Sequence, residues 1–182
     1  MTVNKRQEAE AMQNSLDKIV NDIKANWSGL NSNTTVTVRE LLRELTQSPP
    51  HEPWLASIMR ERLASKTLYQ DPEYGFMLLV HAEEKGTYRP PHDHGAGWVF
   101  YAVQSGEMEM TTYKPITTAS GEPLLVSRGT DTLKAGDCRV FLPGDIHDTR
   151  CLTDNFVQYR LTSCDFKEEK RSGRMIQYLS EV

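Results

Sequence analysis

Three histidines carry the chemistry that this sequence offers. His92 and His94 lie in the run from Tyr88 to Tyr101 with a single residue between them. On an extended strand both imidazoles therefore project to one face, while Asp93 points to the other. Pro90 and Pro91 directly precede them and forbid a helix, because each ring fixes φ and removes a donor, and Pro91 confines its predecessor to extended conformations. A third ligand is best sought in the stretch from Phe141 to His147, where a Pro143-Gly144 turn delivers a histidine onto the next strand. Neutral imidazole suits iron, zinc, copper and nickel alike, so the donors do not name the metal. Three neutral donors on one face leave open coordination positions. They also leave the charge of a divalent ion uncompensated until an anion arrives.

Such a clamp must be held by strands, and the chain supplies them after a helical first third. From Lys5 to Trp27 the apolar residues Ala9, Met12, Leu16, Ile19, Val20, Ile23 and Trp27 recur at the spacing of one helical face. Thr37 with Glu40 reads as a capping box that opens a second helix through Leu45. Pro49, Pro50 and Pro53 end it and begin a third, with Trp54, Leu55, Ile58 and Met59 as its buried stripe and an end near Ser65. All three are expected to pack against a sheet. After Tyr69 the period becomes strand-like: Phe76 to Ala82, Trp98 to Gln104, Glu107 to Tyr113, Leu124 to Val126, Thr130 to Leu133, Arg139 to Leu142, Asp148 to Leu152 and Phe156 to Ser163. Many short strands with Gly, Pro, Asp and Asn between them predict a sandwich or barrel. His81 lies on a strand outside both histidine segments and reads as a structural residue; His51, in a Pro-rich turn, is expected at the surface.

The chain of 182 residues is expected to form one domain, with residues 1–68 as a helical segment and 69–182 as a barrel. A net charge of −4 gives no basic footprint for nucleic acid or anionic lipid. The locally basic run Lys167 to Arg174 reads as a solvated turn. No stretch has the length and apolarity of a membrane span, and the polar N-terminus is unlike a signal peptide, so a cytoplasmic protein is expected. The three cysteines, Cys138, Cys151 and Cys164, lack metal-type spacing and agree with reduced thiols.

His92-x-His94, followed by Gly106, Gly136, Pro143-Gly144 and His147, resembles the paired motifs of the cupin superfamily. Where most cupins place a glutamate ligand in the first motif, this chain has Val99. A three-histidine, carboxylate-free site is what the cysteine dioxygenase branch uses, and the chain is similar to that branch from about Tyr69 to Phe166. The resemblance implies a mainly β fold, a cupin-type β-barrel (jelly roll) with N-terminal α-helices packed against it, and a metal held by His92, His94 and His147. It implies Fe(II), with Zn, Ni or Mn as alternatives, in a monomer or homodimer acting on a small-molecule substrate with O2. The family reaction is oxidation of a thiol to a sulfinate. A small anionic thiol, or another bidentate ligand such as a diketone, is the expected substrate.

The departures from that branch are informative. The register of the resemblance puts Gln158, Arg160 and Thr162 on the cavity face, where cysteine dioxygenase carries serine, histidine and tyrosine. The cysteine that crosslinks to that tyrosine in mammalian members matches Val99, so no such crosslink can form. The arginine that grips the cysteine carboxylate would fall just after Tyr69, where Gln70 and Asp71 stand, which argues against cysteine itself as substrate. The same register turns Val99 and Tyr101 inward and puts Trp98 at the cavity mouth. Tyr101 and Arg160 are thus the expected catalytic residues, and Trp98, Tyr101, Gln158, Arg160 and Thr162 the expected substrate contacts. An arginine inside a barrel needs a partner. For Arg160 that is either the substrate or an internal carboxylate, with Asp148, Asp145 and Glu107 available; Arg89 and Arg150 are competing anchors. The alternative to an oxygenase is a cupin that is a Zn or Mn lyase or isomerase, or a binding module without turnover. A barrel that has lost its metal, with the three histidines as ordinary polar residues, is the plainest reading of all.

Overall fold

A computed structural model describes residues 14–178. Helix α1, Ser15–Asn26, starts where the Asn14 side chain accepts from the Asp17 amide at 2.9 Å. It buries Ile19, Val20 and Ile23. The part of the expected first helix that precedes Asn14 lies outside the described residues. Helix α2, Ser32–Leu45, opens earlier than the Thr37 capping box implies. Asn31 is the cap instead, accepting from the Thr34 amide at 2.9 Å, and Thr37 falls inside the helix. Helix α3, Pro53–Glu61, places proline in its first turn, where no amide donor is needed.

Nine strands follow: β1 Lys66–Gln70, β2 Met77–Glu83, β3 Tyr88–His92, β4 Val99–Ser105, β5 Glu107–Thr117, β6 Pro123–Lys134, β7 Cys138–Phe141, β8 Ile146–Cys151 and β9 Phe156–Thr162. β1 begins before residue 69, the expected start of the barrel. The two short strands expected around Val126 and Leu133 form one twelve-residue strand, β6, because Gly129 at φ 124° carries the ladder through a register shift against β5. The run expected as a solvated turn after Asp165 instead holds a short helix, α4, Phe166–Arg171. Asp165 caps it, and Glu169, paired with Arg174, anchors its far side.

The strands form two antiparallel sheets, ordered β1-β2-β9-β4-β7 and β3-β8-β5-β6. This is the cupin-type β-sandwich with a few helices that the resemblance implied. The helices cover the outer face of the five-stranded sheet. There Ile19, Val38, Leu42 and Ile58 pack on Leu78, Val80, Phe100, Ala102 and Leu161, all buried. A second apolar cluster, including Val99, Val103, Met108, Met110 and Phe141, lies between the sheets. Gly106 turns β4 into β5 at φ 77°, and a Cβ there would sit 2.8 Å from the Phe156 Cα, so only glycine lets the chains approach this closely. No described helix is long and apolar enough to cross a membrane.

Candidate metal centre

The triad is assembled by strand pairing. His92 ends β3 and pairs directly with His147 on β8. His94 follows in the turn, whose shape is set by Asp93 pointing the other way: its carboxylate accepts from the Gly95 and Ile176 amides and from the Tyr178 hydroxyl. One carboxylate thus ties the C-terminal segment down behind the histidines. One nitrogen from each imidazole lies within 4.8 Å of the other two. His92 donates from Nδ1 to the Pro90 carbonyl at 2.8 Å, which leaves its Nε2 lone pair free. The Nε2 atoms of His94 and His147 are 3.4 Å apart, and the Tyr101 hydroxyl stands 3.3 Å from His94 Nε2. Aromatic neighbours fix the rings: His147 stacks on Phe141 at 4.0 Å and His94 on Phe166 at 5.1 Å between centroids.

Burial holds all three imidazoles neutral. It pushes His94 down to about 2, with His92 and Arg160 adding repulsion, and it takes His147 well below the ordinary histidine value. His92 moves the same way from the same first cause. A metal fits this donor set. Nδ1 of His94 and Nδ1 of His147 are buried without a hydrogen-bond partner, and two neutral rings whose Nε2 atoms face each other can share only one proton between them. A divalent ion among the three converging nitrogens would relieve that conflict at Nε2, while leaving the two Nδ1 atoms as they are.

Beside the triad a cavity of about 650 Å³ opens between the sheets, lined by His92, Tyr101, Gln158, Arg160 and Thr162 among others. Four of the five residues expected to contact substrate therefore share one space. Trp98 does not. It is buried on the opposite face of β4, stacked 5.0 Å from Trp27 of the helical layer, because period two sends Val99, Tyr101 and Val103 inward and Trp98, Phe100 and Ala102 toward the helices.

Arg160 has no carboxylate partner among the described residues. Asp148 accepts from Tyr88, Tyr113 and the Thr111 amide; Asp145 accepts from the Leu142 amide; Glu107 pairs with Lys134. The Arg160 guanidinium lies over the rings of Phe166 and Tyr101, at 5.3 and 6.0 Å, with a buried Nε that has no acceptor. Of the competing arginines, Arg89 lines the cavity but is engaged by Glu83, and Arg150 lies over the Tyr88 ring outside it. The cavity also takes in His81, Glu83, Lys167 and Lys170, none of which was expected there. The first two were legible: Met77, Leu79, His81 and Glu83 are alternate residues of β2, so once Leu78 and Val80 face the helices the others face inward. The lysines were not, because α4 breaks the strand pattern.

Two antiparallel sheets enclosing three converging imidazoles define a cupin-fold protein with a candidate metal site. Among solved structures, the chain is similar in fold to KdgF from Halomonas sp., 19% identical, covering 54% of this chain and 74% of that one with a TM-score of 0.42. It is similar to the cupin domain of Schizosaccharomyces pombe Cnp3, 15% identical, covering 60% and 69% with a TM-score of 0.43. An oxalate decarboxylase of Bacillus subtilis is 16% identical, with 58% of this chain covering 25% of that one at a TM-score of 0.40. No family model matches the chain, and no curated protein matches it in sequence.

Proposed function

We propose that the protein is a metal-dependent cupin oxygenase, a non-haem Fe(II) enzyme like the thiol dioxygenases, acting on a small anionic thiol or related bidentate substrate with O2. The observation that carries this reading is a carboxylate-free triad opening onto a cavity in which one guanidinium has no internal counter-ion. His92, His94 and His147 would hold the ion. Redox-active iron held by neutral donors would lower the pKa of a bound thiol, as zinc would too, and would supply the electrons for oxygen chemistry, which zinc would not.

The remaining steps belong to the chain's own side chains. Arg89, Lys167 and Lys170 line the cavity with Arg160, so cationic groups outnumber the acidic Glu83 and Asp165 and favour entry of an anion. Arg160 offers a planar fork that matches a carboxylate. The rings of Phe141, Phe166 and Tyr101 surround the triad, exclude water and strengthen each polar contact. The Tyr101 hydroxyl, 3.3 Å from His94 Nε2, is placed to hold a proton beside the reacting atoms. Three free cysteines accord with a reducing, cytoplasmic setting and with a monomer or homodimer that needs no disulfide.

Metal analysis of the purified protein, joined to oxygen uptake by the iron-loaded form over a panel of small thiols and diketones, tests the proposal. Iron binding with substrate-dependent oxygen consumption and a sulfinate or cleaved product is the expected result. Tightly bound zinc with no consumption of oxygen would overturn it in favour of a lyase, an isomerase or a binding module.

A further inference from the structure

The cavity holds a second polar cluster that the proposed reaction does not use. His81 and Glu83 stand on the cavity face of β2, at 8% and 7% exposure. His81 Nδ1 lies 3.0 Å from the Ala64 carbonyl oxygen. A carbonyl can only accept, so Nδ1 carries the proton and Nε2 presents a lone pair. That Nε2 is buried and has no partner. Glu83 Oε1 takes both contacts from Arg89, at 3.0 and 2.8 Å, and leaves Oε2 buried and unpartnered as well. Burial, with the Arg160 charge adding to it, pushes His81 down to about 4, so this imidazole is a neutral acceptor at physiological pH.

Strand register groups these atoms with a third acceptor. His81 pairs with Gln158 across β2 and β9, and Gln158 Oε1 is likewise buried without a partner. Leu79 pairs with Arg160, which places Arg160 diagonally from His81, roughly 7–8 Å away along the sheet. The same Arg160 pairs with Tyr101 on β4, so it stands between the acceptor group and the triad. One end of the cavity thus offers cationic donors, and the other offers three buried acceptor atoms without partners. A ligand complementary to both ends carries its anionic group at Arg160 and a hydrogen-bond-donating group a few bonds further from the triad.

We propose that His81 Nε2, Glu83 Oε2 and Gln158 Oε1 form a donor-recognising subsite, which selects substrates bearing an ammonium or hydroxyl group distal to their anionic end. The inference rests on the substrate cavity assigned above, but not on the chemistry assigned to it. Nearby Arg160 and Arg89 oppose an ammonium, while the Glu83 carboxylate favours one, so the two donors must be compared directly.

Isothermal titration of the metal-loaded protein with 4-aminobutanoate, 4-hydroxybutanoate and pentanoate does this, because the three share a carboxylate and differ in the distal group. At least one donor-bearing probe should bind ten-fold or more tightly than pentanoate, and which one does names the group. His81→Phe should remove that preference while leaving pentanoate affinity unchanged. Should His81→Phe fail to fold, Glu83→Gln, which keeps an oxygen for Arg89, should weaken 4-aminobutanoate relative to pentanoate. Pentanoate binding as tightly as both other probes, or none of the three binding, would overturn the subsite. The probes contain no thiol and undergo no turnover, so failure of the oxygenase reading would leave this result standing, and oxygen uptake on thiols would survive failure of the subsite.

Discussion

The two faces of the five-stranded sheet are built from the same strands and do opposite things. On β2, β4 and β9 the residues Leu78, Val80, Phe100, Ala102, Val157 and Leu161 turn outward to the helices and are apolar and buried. Even the one hydroxyl in that layer, on Tyr159, donates to Gln104 at 2.8 Å. Their neighbours one position along turn inward, and there His81, Glu83, Gln158, Arg160 and Thr162 each keep a buried polar atom without a partner. One face has every group satisfied, which is what a folding core requires. The other holds unmet hydrogen-bonding capacity in a cavity, which stability alone would not maintain. Alternation along a strand lets one sheet be scaffold and site at once.

The sharpest separation comes from deleting one large residue of the site that the inner face lines and one of the outer face. His94→Ala should remove most of the bound metal, read by elemental analysis, while the protein still melts cooperatively. Metal content surviving each single replacement of His92, His94 and His147 would break the ligand assignment. Phe100→Ala on the helical face should do the reverse. Loss of a fully buried ring costs about 3–5 kcal/mol in a denaturant titration, with metal stoichiometry in the folded fraction unchanged.

The difference between the faces also explains what could be read in advance. The helices, the β-sandwich and the His-x-His pair with its Pro-Gly partner follow from local periods and turn chemistry, which need no tertiary knowledge. The register of the resemblance puts Trp98 at the cavity mouth, although counting by two from Val99 puts it on the helical face, where it stacks on Trp27. His81 was passed over because a lone strand histidine is ordinarily structural, and only the pairing of β2 with β9 brings it beside Gln158. Lys167 and Lys170 read as part of a solvated turn, because α4 folds over the triad through the contact of Phe166 with His94, a long-range event without a sequence period.

A third prediction concerns pH. The folded His81 titrates near 4 against 6.5 in an unfolded chain, so its contribution to stability is complete above about pH 6.5. As pH falls from there toward 4 the unfolded state binds the proton first, and stability is lost. That one group accounts for roughly 3 kcal/mol. His92, His94 and His147 are displaced in the same direction. Denaturant titrations of metal-free protein at pH 7.5 and 4.5 should therefore differ by more than this, and His81→Phe should narrow the gap. An unchanged gap would mean that His81 is not the buried neutral group described.

Arg160→Met distinguishes anchor from scaffold on the inner face. The methionine keeps much of the apolar stem and removes the charged group that lies over Phe166. Fold and metal should be retained, and apparent affinity for an anionic substrate should fall by about 1.5–3 kcal/mol, the range for a hydrogen bond to a charged group. Undiminished affinity would remove Arg160 from substrate binding, and unfolding would make it structural.

The smallest change asks whether a single inward hydroxyl belongs to the site or to the core. The Tyr101 ring packs edge-on to Phe141 and against His147, and those contacts are available to phenylalanine as well. Its hydroxyl is different, since it lies 3.3 Å from His94 Nε2 and burial raises its pKa, so it remains a protonated donor at any working pH. Tyr101→Phe should leave stability within about 1 kcal/mol, the net worth of one hydrogen bond, and leave bound metal unchanged. Turnover should nevertheless drop several-fold or more, because the proton held beside the reacting atoms is lost with the hydroxyl. Turnover and stability both unchanged would assign Tyr101 to packing alone, and the site would then keep its function in the three histidines of the opposite sheet and Arg160.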